Sequence, residues 1–323
     1  MEDVARAAGV SMITVSRALN TPGKLAPATL ARVRAVIERL RYVPNLTAGS
    51  LASNRSRIIA AIVPTIANSI FSDTIDGLAQ TISLHRYQLL LGQTQYRLDE
   101  EAALVDAFLG RRVDGLVLTG IKHARGVRSR LQRAGIPVVE TWDLTPRPID
   151  MAVGFSNRAA GEAAARYLVE RGYRSLAYVG GADDRSVARL AGFREGAAAC
   201  RVRDVFTSLV PAPSSPTDGA TALAGLLAEH MPRAVFCSND MLAAGALFEC
   251  ARRRISVPAQ MAVMGFADLP IAAGTEPALT TVAVRAKEMG QRAGELLLQR
   301  LAGDTAHERV VDLGFAVIGR ASA

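Results

Sequence analysis

Aromatic side chains are scarce in this chain of 323 residues: Phe, Tyr and Trp make up 5%, with a single Trp, while half of all residues are apolar. Such a core must be aliphatic, which suits α/β layers. The three cysteines, Cys200, Cys237 and Cys250, are odd in number, lack metal-ligand spacing and sit in apolar stretches. They exclude a disulfide scaffold or a zinc module and read as reduced core thiols of a cytoplasmic protein. No apolar run approaches the roughly 18 residues of a membrane span, and no export signal precedes Met1, so export and membrane insertion are not expected. The four histidines, His85, His123, His230 and His307, are scattered. There is no G-x-S-x-G elbow and no P-loop, and Gly180-Gly181 is a strand-end turn without the rest of a dinucleotide fingerprint. Neither an enzyme, a metal site nor a cofactor is expected.

What the chain does have begins at residue 3. The run DVARAAGVSMITVSRALN holds two short helical patterns about a tight turn. Val4, Ala5 and Ala8 recur at helical spacing, Gly9 permits the turn, and Val10 and Val15 can close a small core. Ser11 is placed to cap the second helix. The face that follows offers Met12, Ile13, Thr14, Ser16, Arg17 and Asn20, side chains that suit the major groove, where Arg pairs with guanine. By periodicity alone, an αα-hairpin within an all-helical core fits equally well.

Charge tilts the balance towards DNA. Residues 1–57 carry nine Lys and Arg against three acids, a net of +6, whereas the whole chain is +8, leaving +2 for residues 58–323. A basic head on a nearly neutral body is what phosphate neutralisation requires. Pro27 opens a third helix on which Leu30, Val33, Ile37 and Leu40 share a face, and Pro44 ends it. Residues 45–57 are polar, with Leu51 apolar among them. They read as a flexible linker or as a hinge that folds when DNA is present.

From residue 58 strand and helix alternate. Apolar runs at 58–63, 87–91, 115–118 and 136–140 are separated by helical patterns, residues 150–155 lead into a second series with strands at 176–179, 205–210, 234–237 and 262–265, and a helix at 285–301 precedes a last strand near 310–313. Repeated βα units with continuous apolar strands imply parallel sheets covered on both faces. Ligands of such sheets bind beyond the carboxyl ends of strands, so the candidates are the residues that follow them. In the first lobe these are Asn68, Phe71, Ser72, Glu140, Thr141 and Trp142. In the second they are Asp183, Asp184, Arg185, Arg189, Asn239, Ala267 and Asp268; Asp240 reads as a helix cap. Loop Asn and Asp more often form turns or caps than hold ligands. Phe71 and Trp142 fit the core as well, although Trp142, the single Trp and in a polar strand-end loop, is better placed to stack on a sugar face.

The run DVARAAGVSMITVSRALN, then YVPN and a Leu six residues after that Asn, resembles the head and hinge of the lactose-repressor (LacI/GalR) family of transcription regulators, and the resemblance spans essentially the whole chain. It implies a helix-turn-helix head of three helices (1–44), a hinge (45–57) and a bilobal, periplasmic-binding-protein-like body (58–323) of two parallel-sheet lobes. Lobe 1 would take about 58–155 plus 285–315 and lobe 2 about 156–284. Met12, Ile13 and Arg17 would read the major groove, residues 45–53 would form a hinge helix in the minor groove, and Asn45 and Leu51 join the DNA-binding set, Leu51 as the wedge that opens a base step. The family pattern R-x-x-G-F falls on RLAGF and makes Arg189 an effector-binding residue.

Two kinds of departure from the pattern matter. The family usually has Thr before the first helix and Ser capping the third, where this chain begins at Met1 and has Ala26; the head is then marginal without DNA, or the true start lies upstream. Sugar-binding members usually place Asp directly after the Gly-aromatic pair of the last strand, where this chain has Ala267, with Asp268 one step late. A missing carboxylate beside Arg185 and Arg189 favours an acidic effector. The stretches IPVVE, DMAVGF, AVFCSND, GALFEC and VVDLGF are most similar to the gluconate-utilisation repressor branch. The resemblance thus implies a homodimeric regulator of double-stranded operator DNA, released by a sugar acid such as gluconate. A periplasmic binding protein would lack the basic head, and a nucleoid-type DNA binder would not need two α/β lobes.

Overall fold

The computed structural model describes residues 1–42, 55–67, 69–304 and 308–323, and all of Asn20 but its side chain. Asn45, Leu51 and the expected hinge helix, together with Asn68, lie outside the described residues. The chain divides into two compact units, Met1–Ser56 and Arg57–Ala323.

In the first unit α1 (Glu2–Ala8), α2 (Met12–Asn20) and α3 (Pro27–Arg39) enclose a core of Val4, Ala5, Ala8, Val15, Ala18, Val33 and Val36. Gly9 takes φ 62°, the left-handed turn that its missing Cβ allows. The Ser11 hydroxyl caps α2 by accepting from the Thr14 N–H at 3.2 Å. Ala26 stands at the N-cap of α3 and offers no side-chain bond. Leu40, expected in the core, is exposed because it follows the last full turn; Val36 fills that place.

The second unit holds two six-stranded sheets of matching order. The first sheet contains β1 (Ile58–Val63), β2 (Gln88–Gln93), β3 (Gly115–Thr119), β4 (Val138–Thr141), β5 (Met151–Gly154) and β11 (Val310–Asp312). They run in the order β11-β5-β4-β3-β1-β2, all parallel. The second contains β6 (Leu176–Gly181), β7 (Val205–Val210), β8 (Ala234–Cys237), β9 (Ala262–Ala267), β10 (Thr280–Val284) and β12 (Phe315–Ile318), in the order β12-β10-β9-β8-β6-β7. Only β12 runs antiparallel. Continuous aliphatic runs such as IIAAIV, with five of six residues buried, are what a sheet covered on both faces demands.

Helices α4 (Ser72–Ser83), α5 (Leu98–Gly110), α6 (Val127–Ala134) and α12 (Ala286–Leu301) flank the first sheet; α7 (Asn157–Glu170), α8 (Asp184–Ala199), α9 (Pro216–Glu229), α10 (Asp240–Arg252) and the short α11 (Pro270–Gly274) flank the second. The chain crosses between lobes after β5, after β10 and after β11. The sequence reading named neither β10 nor β12, and β12 puts residues 315–318 in the second lobe.

One helix crossing positions the site. A Cβ at Gly161 on α7 would lie 2.0 Å from the Arg189 carbonyl oxygen, and one at Gly192 on α8 would lie 1.8 Å from that of Arg158. The two backbones touch only because both positions are glycine, and this sets Asn157 beside Arg189.

Candidate functional site: an inter-lobe cleft and an exposed helix

In both sheets the strand order reverses beside the first strand, at β1/β3 and at β6/β8, and the cleft opens beyond the carboxyl ends of those strands. Its inner cavity takes Ile70 and Phe71 after β1, Tyr96 after β2 and Trp142 after β4 from the first lobe. The second lobe supplies Gly181, Asp183, Arg185 and Arg189 after β6, Ala212 and Ser214 after β7, and Ser238 and Asn239 after β8. The cavity is nearly filled, with about 20 Å³ free. A neighbouring chamber of about 340 Å³ shares Tyr96, Asp183, Arg185 and Ala212 with it.

Arg189 is buried. It donates through one terminal nitrogen to Asn157 Oδ1 and through the other to the Ser238 carbonyl at 3.2 Å, and its guanidinium lies 4.1 Å from the Phe266 ring centroid. Its Nε has no hydrogen-bond partner among the described residues. Burial pulls its pKa down, against nearby Tyr178 and Asp183, which favour the charge. Arg185 forms part of the wall of both chambers, 3.7 Å from Asp183, and its guanidinium stands 5.5 Å from the centroid of Phe71 in the opposite lobe. Asp183 caps α8 by accepting from Ser186 N–H. Asn239 caps α10 and also donates to Ser214 Oγ at 3.2 Å. At the mouth, Lys122 of the first lobe pairs with Asp184 of the second at 2.8 Å.

Several expectations change. Trp142 is only 1% exposed: its ring packs edge-on against Phe71 and Phe155, and Nε1 donates to Thr74 Oγ1 at 3.1 Å. It lines the cavity as a core residue rather than as an open stacking platform. Glu140 does not face the cleft. Its carboxylate accepts from Ile149 N–H and pairs with His123 Nε2 at 3.0 Å, while His123 Nδ1 meets Glu101 at 2.5 Å. Burial opposes charge on His123, but the hydrogen bonds to Glu101 and Glu140 outweigh it and lift its pKa to about 9. Asp268 is outside the cavity, held by Arg320 at 2.8 Å. The Ser72 hydroxyl donates back to the Ser69 carbonyl. Asp240 is not the cap of its helix; it is buried, accepting from Thr281 Oγ1 at 2.6 Å and from Leu269 N–H at 2.7 Å.

Sequence reading passed over Tyr96, Ser214, Ser238, Asn157 and Asp143. Ser238 directly follows β8, and Asn157 opens the helix three residues after β5, so both belonged to the same class as the residues it chose. Tyr96 has φ 63° and Trp142 φ 68°, so two cavity residues hold backbone conformations that non-glycine residues seldom adopt. Asp143 sits beside Trp142, where burial pushes its carboxyl pKa up against the opposing pull of the Leu144 N–H, Asn157 and both arginines.

On the other unit, α2 presents Met12, Ile13 and Arg17 fully to solvent, with Thr14 and Ser16 half-buried; the Thr14 hydroxyl lies 3.0 Å from Ser11 Oγ. Arg32, Arg34 and Arg39 on α3 are also exposed and form no ion pair among the described residues. Met12 and Ile13 are thus exposed beside Arg17, which forms no ion pair among the described residues, on a helix whose other face is held in the core.

A family model for bacterial regulatory proteins of the lacI family matches residues 1–45, and one for the periplasmic binding protein-like domain matches residues 165–323. The HTH-type transcriptional regulator GntR of Pseudomonas aeruginosa is 38% identical, with 100% of this chain and 95% of that one covered. The chain belongs to the lacI family of bacterial regulatory proteins. The Escherichia coli HTH-type transcriptional regulator GntR is 32% identical over 98% of this chain and 96% of that one. Among solved structures, a LacI-family transcriptional regulator from Silicibacter pomeroyi superposes with a TM-score of 0.93 at 32% identity, covering 99% of this chain and 98% of that one. This lacI-family protein is therefore a DNA-binding transcription regulator, and not an enzyme. Among the described residues no helix is long and apolar enough to cross a membrane.

Proposed function

We propose that this lacI-family regulator is a homodimeric repressor whose head binds double-stranded operator DNA and which is released when a sugar acid of the gluconate class enters the cleft. The observation that carries the effector class is the buried Arg189, its Nε unpartnered, with Arg185 beside it and no carboxylate arriving from the end of β9. A carboxylate ligand can take a charge-assisted, bidentate pair there. A further Asp from β9, added to Asp183 in the wall, would instead favour neutral hydroxyls. The adjoining chamber admits the polyol, while the inner cavity must widen to admit the carboxylate. Ligand then favours a different arrangement of the lobes from the one seen, and only such differential binding can shift operator affinity. By linkage, operator weakens the ligand by the same factor.

The test has two readings. Thermal shift of the full chain should show stabilisation by gluconate or a related sugar acid and not by neutral sugars or purines. Gel shift on the DNA upstream of its own gene should show a complex that the same acid dissolves, with preference over bulk DNA of at least about a thousandfold. Stabilisation by neutral sugars alone overturns the effector class; absence of any preferred site overturns the repressor.

A further inference from the structure

A second cluster of arginines lies at the other end of the second sheet, just before the amino ends of β6, β8 and β9. Arg171, Arg174 and Arg233 ring an open basin of about 560 Å³, with Tyr173, Ser175 and Pro258 among its other lining residues and no carboxylate. None of the three arginines forms an ion pair among the described residues, although many other arginines of this body do.

Each guanidinium is held in place. Arg174 donates to the Val169 carbonyl at 2.9 Å, Arg233 to the Ala259 carbonyl at 2.9 Å, and Arg171 lies 4.4 Å over the Tyr167 ring. A structural role alone, as carbonyl caps, accounts for one N–H of Arg174 and one of Arg233. A guanidinium has five. All three arginines line one open basin, with like charges and no carboxylate among its lining residues.

We propose that this basin is an anion site, separate from the effector cleft, for a small phosphate-type oxyanion. Phosphate oxygens suit guanidinium forks, and the contacts that hold each arginine limit the rotamer entropy lost on binding. Tyr173 and Pro258 wall the basin without adding donors, so recognition rests on the guanidiniums.

The probe is inorganic phosphate, titrated by calorimetry into the full chain against chloride at matched ionic strength. Wild type should bind it, and Arg174→Gln with Arg233→Gln should weaken binding at least about tenfold. Arg174→Lys with Arg233→Lys keeps the charge but loses the forks, and should recover only part of the affinity. Arg252→Gln, which removes an exposed arginine of the same lobe paired with Glu249, should leave phosphate binding unchanged. Equal binding by wild type and the double Gln variant, with both melting alike in chloride, overturns the site. So does an equal loss of binding in Arg252→Gln, which would mark a general charge effect, and so does absence of wild-type binding.

Discussion

The reading helix and the cleft use their functional side chains in opposite ways. On α2 the residues proposed to touch DNA are exposed, Met12 at 55% and Ile13 at 64%, and the small core beneath them consists of valines and alanines. In the cleft, Arg189, Trp142, Phe71 and Asn239 are buried, and Trp142, Arg189 and Asn239 are hydrogen-bonded within their own lobes, so the groups that would meet a ligand are also part of each lobe's packing. Substitutions in the head should then separate DNA binding from stability, whereas substitutions in the cleft should not separate ligand binding from stability.

Trp142→Ala strikes the second half of that contrast hardest. Removing a buried Trp that packs on Phe71 and Phe155 should cost about 3–5 kcal/mol. Chemical denaturation should show the loss together with a loss of effector response. A variant that keeps wild-type stability but ignores effector would make the ring a ligand platform after all.

The buried Glu101-His123-Glu140 cluster gives the next largest effect, and a pH signature. The folded pKa of His123, about 9, lies above its ordinary value near 6.5. Its contribution is therefore complete below about pH 6.5 and is lost as pH rises through 9; the span corresponds to roughly 3 kcal/mol. Wild-type melting temperature should fall between pH 7 and 10 more steeply than that of His123→Gln. Parallel curves would show that the imidazole is neutral throughout.

How much of this the sequence disclosed follows from which information is local. Helix α2 and its Ser11 cap need only neighbours within four residues, and the parallel strands announce themselves as aliphatic runs. Of the residues chosen by strand ends, Phe71, Asp183, Arg185, Arg189 and Asn239 line the cavity, because topology brings those ends together. Glu140 misled because successive strand residues face opposite sides. Val138 and Glu140 share the side that holds His123, while Val139 faces the other, and with both sides buried no polarity pattern distinguishes them. Asp268 needed knowledge of Arg320, a partner 52 positions on that only the return of β12 brings near. Strand β10 opens with Thr280 and Thr281, whose hydroxyls are satisfied by the Arg320 carbonyl and by Asp240, so a buried strand was written in polar letters.

In the head the contrast predicts separability. Arg17→Ala removes an exposed side chain with no ion pair among the described residues, so its effect on folding should stay within about 0.5 kcal/mol. If Arg17 reads guanine, operator affinity should fall by about 1–3 kcal/mol, and discrimination at one base pair should relax. A uniform loss across all sequences would instead make it a phosphate contact.

The smallest effect bears on why the head can be so lightly built. At the N-cap of α3, Ala26 has the extended backbone a cap needs, φ −61° and ψ 140°, and its carbonyl accepts from Thr29 and Leu30 N–H, but it has no side-chain oxygen to add. Ser at this position can accept from Thr29 N–H without moving the backbone, which should stabilise the head by about 1 kcal/mol. In a core of seven small side chains such a gain is a large share of the total, whereas in the body it would be lost among many buried contacts. Ala26→Ser should thus raise the melting midpoint of the head transition and leave that of the body where it was. Because α3 packs against α1 and α2, the variant should also bind operator at least as tightly; a more stable head that binds DNA less well would mean that looseness in this helix serves docking.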